Sequence, residues 1–205
     1  MRRFSALFLL FAIASVQAET RVIVETSMGS FTIELNEVKS PLAVRNFLSY
    51  VDAGSYDGTI FHRVIPGFMI QGGGYTEKLE ETYEGDAIEN EAANGVRNVM
   101  GAVAMAREAE IESARKQFFI NVDDNAHLDH SEKSCTREIE AAVAKAEARG
   151  LRKPVSCTTY GYAVFGKVVE GMDTVSDIEF VETDMTDYFE ALPLTPVVIK
   201  SVRRQ

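Results

Sequence analysis

Positive charge is scarce in this sequence: 21 Lys+Arg stand against 31 Asp+Glu over 205 residues, a formal charge of −10. Nucleic-acid affinity comes largely from Lys and Arg releasing counterions from phosphates, so the chain lacks the footprint of such a binder. Long apolar runs are also missing after Val16. A bilayer-spanning helix needs about 20 consecutive apolar residues, and no segment after Val16 approaches that length. There are only two cysteines and no C-x-x-C spacing, which excludes a disulfide-dense miniprotein and a thioredoxin-like redox pair. Internal repeats and low-complexity tracts are absent too. What remains is 46% hydrophobic and 25% charged, enough apolar material for one full core and too ordered a composition for a disordered chain.

The first 18 residues form a separate object. Met1-Arg2-Arg3 precedes an apolar run from Phe4 to Val16, with small residues at Val16 and Ala18. This pattern reads as a signal peptide cut after Ala18, with residues 19–205 as the mature domain. The alternative, a retained anchor, is disfavoured by the short run. The expected location is the periplasm or outside the cell, with no membrane attachment after cleavage.

Arg21–Thr26 and Ser30–Leu35 alternate as strands joined by a Met28-Gly29 turn. Ser40-Pro41 opens a helix, with Ser40 as expected N-cap and Val44, Phe47, Leu48 and Val51 along one face; Gly54 stops it. Further strands are expected at Thr59–Val64, Phe68–Gln71, Val99–Met105, Gln117–Val122, Ala163–Val168 and Val197–Val202, and a short helix at Met172–Ile178. Many short strands with few helices point to a closed antiparallel barrel or a sandwich.

The stretch 131–160 breaks this pattern. Thr136–Arg149 is rich in Ala, Glu, Lys and Arg and is stopped by Gly150, so a helical insertion is expected, bracketed by Cys135 and Cys157. An even cysteine count in an exported chain reads as a disulfide, which would contribute roughly 3 kcal/mol by loop closure. The alternative is zinc held by His127, His130, Cys135 and Cys157, for which the cysteine spacing is a poor match.

Two apparent phosphate motifs fail. Gly161–Lys167 has the G-x-x-x-x-G-K outline, but Val168 stands where a magnesium-binding Ser or Thr is needed. Gly72-Gly73-Gly74 has no helix after it and reads as a turn beyond a strand. More informative is the run Phe61 to Gly73, with Arg63, Phe68, Met69 and Gln71 around a Pro-Gly turn. Phe118 and Phe119 are adjacent in a strand, so only one can face the core. Together they supply a guanidinium, amides and an aromatic hollow. No nucleophile–base pair accompanies them. Such a set suits an uncharged apolar group bound without covalent chemistry.

The run Phe61–Gly73 resembles the signature of the cyclophilin family of peptidyl-prolyl isomerases. Gly101–Arg107, Gln117–Asn121, Leu128-Asp129-His130 and Val164–Val168 follow in that family's order, so the resemblance extends over roughly Arg21 to Arg203. It implies an all-β, closed eight-stranded antiparallel barrel capped by two helices. It also implies Arg63 and Gln71 as catalytic residues, with Gln71 holding the substrate carbonyl side or orienting Arg63. Phe68, Met69, Phe119 and Leu128 would form the proline pocket, and Ala106, Arg107 and Gln117 the groove for flanking backbone. No cofactor or metal is implied. The partners would be proline-containing polypeptides, here unfolded exported proteins, met by a monomer. The chain departs from the pattern where it has no Trp and carries His127 at that position, which implies weak cyclosporin binding. Tyr162 replaces a family His, and Arg107 stands where Asn is common. His62 and His130 read as structural.

Overall fold

The computed structural model describes residues 19–131 and 160–205, with Ala141 and Lys145, both helical, between them. The signal-peptide reading, the Cys135–Cys157 pair and most of the expected 136–149 helix lie outside the described residues.

Strands β1 (Arg21–Thr26) and β2 (Gly29–Leu35) form the expected hairpin, Thr26 pairing with Gly29 at its tip. Helix α1 (Pro41–Asp52) follows, then β3 (Thr59–Ile65), β4 (Met69–Thr76), β5 (Ala102–Met105), β6 (Phe118–Asn121) and β7 (Val164–Glu170). Helix α2 (Met172–Glu179), the short strands β8 (Thr183–Asp184) and β9 (Leu192–Pro193), and β10 (Val197–Arg204) complete the chain. Eight strands close in the order β1-β10-β3-β4-β6-β5-β7-β2, every pairing antiparallel. The barrel leaves no free edge among these strands. β8 and β9 pair separately as a small hairpin sheet that sequence periodicity did not reveal, since two-residue strands carry no measurable alternation.

The barrel interior is filled by aliphatic residues such as Val24, Ile33, Ile70 and Val202, and by a group of rings. Phe47 of α1 meets Tyr56, Phe118 and Phe165 at centroid distances of 5.3, 5.6 and 5.0 Å. The stripe Val44, Phe47, Leu48 and Val51 is buried as its helical spacing requires. Outside, Glu34 receives Arg21 at 2.7 Å and Lys167 at 2.9 Å, which ties β1, β2 and β7 together. The Lys167 and Arg21 hydrogen bonds lower the Glu34 carboxyl to about 2.

Three local expectations are corrected. Ser40 precedes α1, but its side chain makes no cap; its hydroxyl donates to Val164 O at 2.6 Å. The helix start is capped instead by Glu91, whose carboxylate accepts from Leu42 N and Ala43 N at 3.0 and 2.8 Å. A charged acceptor also complements the helix dipole. The second correction concerns Gly72-Gly73-Gly74, which lie inside β4 rather than in a turn beyond it. The β3–β4 register shifts on either side of Phe61, and Gly73 has φ +91°. A Cβ at Gly72 would lie 2.9 Å from Ile60 O, so the glycines are there for close backbone approach in an irregular strand. Val99–Gly101 is also not strand: Ala102 N donates to Val99 O at 2.9 Å in a tight turn.

Candidate active site

The site sits on the outer face of β3, β4, β5 and β6. In this sheet Arg63 is opposite Gln71, Gln71 opposite Phe119, and Phe119 opposite Ala104. Period-two pleating sends Phe118 into the barrel and Phe119 out of it. Phe118 is fully buried in the main core, whereas Phe119 joins a second cluster with Met69, Ala104, Leu128 and Val164. Phe68, Ala106 and Tyr162 pack against that second cluster.

Arg63, Phe68, Met69, Gln71, Ala106, Arg107, Phe119, Leu128 and Tyr162 line one hollow of about 140 Å³. These are nine of the eleven residues expected from the sequence. The other two lie beside it. Gln117 borders an adjoining polar hollow of about 100 Å³, which shares Gln71, Ala106 and Arg107 with the first. His127 is exposed and stacks on Phe68 at 5.5 Å, so it forms rim rather than wall. A larger hollow of about 580 Å³, bordered by Glu34, Val96, Met100 and Lys167, shares no residue with either.

The guanidinium of Arg63 crosses the mouth of the first hollow. Its Nε and Nη2 both donate to Glu190 Oε2, at 3.0 and 2.7 Å. Its Nη1 lies 3.8 Å from the Met69 sulfur, and Cζ is 5.7 Å from the Phe68 ring centre. Gln71 makes its hydrogen bond elsewhere: Nε2 donates to Gln117 Oε1 at 3.0 Å, and Gln117 Nε2 donates to Glu84 Oε1 at 2.6 Å. A carboxylate can only accept, so Glu84 sets the direction of both amides. Opposite them, Arg107 donates from Nε to Gly161 O at 3.0 Å and lies 4.6 Å over the Tyr162 ring. That cation–π contact fixes Tyr162 edge-on to Phe119, 5.7 Å away.

Buried amides brace the loops that carry Phe68 and Leu128. Asn125 Nδ2 donates to Phe68 O at 2.7 Å and to Asn121 Oδ1 at 2.8 Å. Asn98 Nδ2 donates to Leu128 O at 3.1 Å. The sequence reading missed Glu84, Asn98, Asn125 and Glu190. Each is joined to the site only by pairing across the fold.

His62 and His130 stay out of the hollow. His62 is 4% exposed, packed against Tyr75 at 4.8 Å and Phe189 at 6.0 Å, and burial lowers its imidazole to about 4. His130 Nδ1 lies 2.6 Å from Tyr160 O.

A family model for the cyclophilin type peptidyl-prolyl cis-trans isomerases matches residues 21–204. The chain belongs to that family. It is thereby an enzyme of the isomerase class. It is 41% identical over 184 residues to peptidyl-prolyl cis-trans isomerase A of Dickeya dadantii, covering 90% of this chain and 84% of the relative. It is 44% identical over 182 residues to the isomerase cyp18 of Streptomyces antibioticus, covering 89% and 96%. The fold also matches a solved cyclophilin type isomerase of Cryptosporidium parvum, determined in the presence of the dipeptide Ala-Pro. That match has a TM-score of 0.67 at 25% identity, over 90% of this chain and 98% of the other. Among the described residues no helix is long and apolar enough to cross a membrane.

Proposed function

We propose that this cyclophilin accelerates cis–trans isomerisation of X-Pro bonds in exported polypeptides, with Arg63 as the group that acts on the prolyl nitrogen. The observation that carries this reading is a fixed cation at the mouth of an apolar hollow. The barrier to rotation, about 18–20 kcal/mol, is loss of amide resonance. As the amide twists, the prolyl nitrogen becomes pyramidal and regains a lone pair. A donor aimed there stabilises the transition state more than either planar form. Arg suits the task because it stays charged.

Phe68, Met69, Phe119 and Leu128 take the pyrrolidine ring, and Tyr162 and Ala106 close the hollow around it. Gln71, whose Nε2 is turned to Gln117, presents Oε1 to the substrate backbone. Gln117 and Arg107 border the flanking chain. With His127 in place of a large rim aromatic, cyclosporin binds weakly. The protein acts as a monomer in the periplasm or outside the cell after removal of residues 1–18, a reading supported by the basic start and short apolar run.

The test is cis-to-trans relaxation of an Ala-Pro peptide with the mature protein and with Arg63→Ala. The proposal predicts acceleration by the wild type that falls about 10²-fold in the variant, the usual loss for one transition-state donor. Binding of unfolded proline-rich chains without acceleration would replace the enzyme by a chaperone that uses the same groove. N-terminal sequencing of the exported protein should begin at Glu19.

A further inference from the structure

Glu190 belongs to the β8–β9 connection and lies 127 residues from Arg63 in the chain. Its position is fixed on both sides. The preceding residue, Phe189, packs edge-on against Tyr75 at 5.0 Å and lies against His62 at 6.0 Å. The following residue, Ala191, accepts at its carbonyl from Val64 N at 2.9 Å. Phe189 also closes the hairpin turn, its N donating to Thr186 Oγ1 at 2.9 Å. The carboxylate is therefore anchored to β3 through the two residues that flank Arg63, His62 and Val64.

Glu190 Oε2 straddles the Nε–Nη2 edge of the guanidinium, which leaves Nη1 turned to the hollow beside Met69. Arg has five donors on a planar fork but a long, rotamer-rich stem, so a cation on its own must be ordered before it can act. We infer that Glu190 is the positioning residue that holds Arg63 with Nη1 aimed at the prolyl nitrogen. The guanidinium is held by Glu190 and makes no hydrogen bond to Gln71, whose Nε2 donates to Gln117. The inference rests on the reading of Arg63 as the donor.

The pair is largely solvent-accessible, with side chains 30% and 58% exposed, and such ion pairs add little to stability. Glu190→Ala should accordingly fold with a nearly unchanged melting temperature. Its effect should appear as a kcat reduced about tenfold with KM within about twofold, because substrate contacts in the hollow are untouched. Glu190→Gln keeps an acceptor oxygen without its charge, and should fall between wild type and Glu190→Ala. In an Arg63→Ala background, Glu190→Ala should cause no further loss. The Arg63 Nε–H resonance should be resolved and slow to exchange in the wild type and lost in Glu190→Ala.

Three results overturn the inference. One is Glu190→Ala with unchanged or raised kcat while Arg63→Ala is impaired, which leaves the donor reading intact. Another is equal losses from Glu190→Ala with and without Arg63. The third is an Arg63→Ala variant of full activity, which removes the donor reading and this inference together.

Discussion

At His62 burial decides the protonation state. The ring is 4% exposed between Tyr75 and Phe189, its Nδ1 has no hydrogen-bond partner among the described residues, and its pKa is lowered to about 4. An unfolded histidine titrates near pH 6.5. Between those values the unfolded chain holds a proton that the native chain does not. Stability therefore falls as pH drops from about 6.5 to about 4, and the His62 contribution is flat outside that window. At 1.36 kcal/mol per pKa unit the loss attributable to His62 is about 3 kcal/mol. Urea unfolding at several pH values should show His62→Phe losing less stability than the wild type across this window; parallel curves would refute the assignment. The same scale shows what was legible. Arg63, Phe68, Met69 and Gln71 stand within one short run and could be read together. Glu91 and Glu190 could not, since an acidic residue in a loop looks solvated until the fold brings Leu42 or Arg63 to it.

Element by element, β6 was legible because two adjacent rings in a strand must point oppositely. Phe118 supports α1 through Phe47, whereas Phe119 supports only the hollow. Phe118→Ala should therefore cost about 3–5 kcal/mol in chemical unfolding, as core Phe truncations do. Phe119→Ala should lose less stability but most of the kcat/KM, because the proline ring loses its floor. Similar stability losses with equal activity would show that the pleat does not divide their roles. Strand β4 was less legible. Three glycines weaken the alternation that marks a strand, and nothing local reports that Gly72 must pass Ile60 O closely. The β8–β9 hairpin was invisible for a related reason: its pairing is too short to pattern, and its value lies in carrying Phe189 and Glu190.

For the whole molecule, the eight barrel strands of the described residues all lie before position 131 or after position 160. The two stems of the intervening stretch meet: His130 and Tyr160 rings are 4.8 Å apart, and a Cβ on Gly161 would lie 2.7 Å from His130 Cα. Gly161, at φ +102°, permits this approach. Replacing residues 132–159 with a short Gly-Ser linker should thus leave a folded barrel with a cooperative transition. The proline hollow should keep turning over a tetrapeptide substrate within about threefold, since all of its described lining lies outside the stretch. A deletion that fails to fold would show that the stretch is integral to the core. Architecture at this scale was the most legible part of the chain, because apolar alternation and turn glycines recur along its length. The function followed from ordered local motifs, and the supporting framework of Asn98, Asn125 and Glu84 required the fold.

The proposed mechanism has Arg63 act on the twisted amide rather than on substrate capture. NMR exchange on an Ala-Pro peptide bound to wild type and to Arg63→Ala separates the two. On-enzyme interconversion in the variant should fall about 10²-fold while peptide affinity changes less than about threefold, the pattern of a donor that works only in the transition state. If affinity and interconversion instead fall together, or if interconversion is unchanged, the guanidinium is a binding group and the mechanism is wrong.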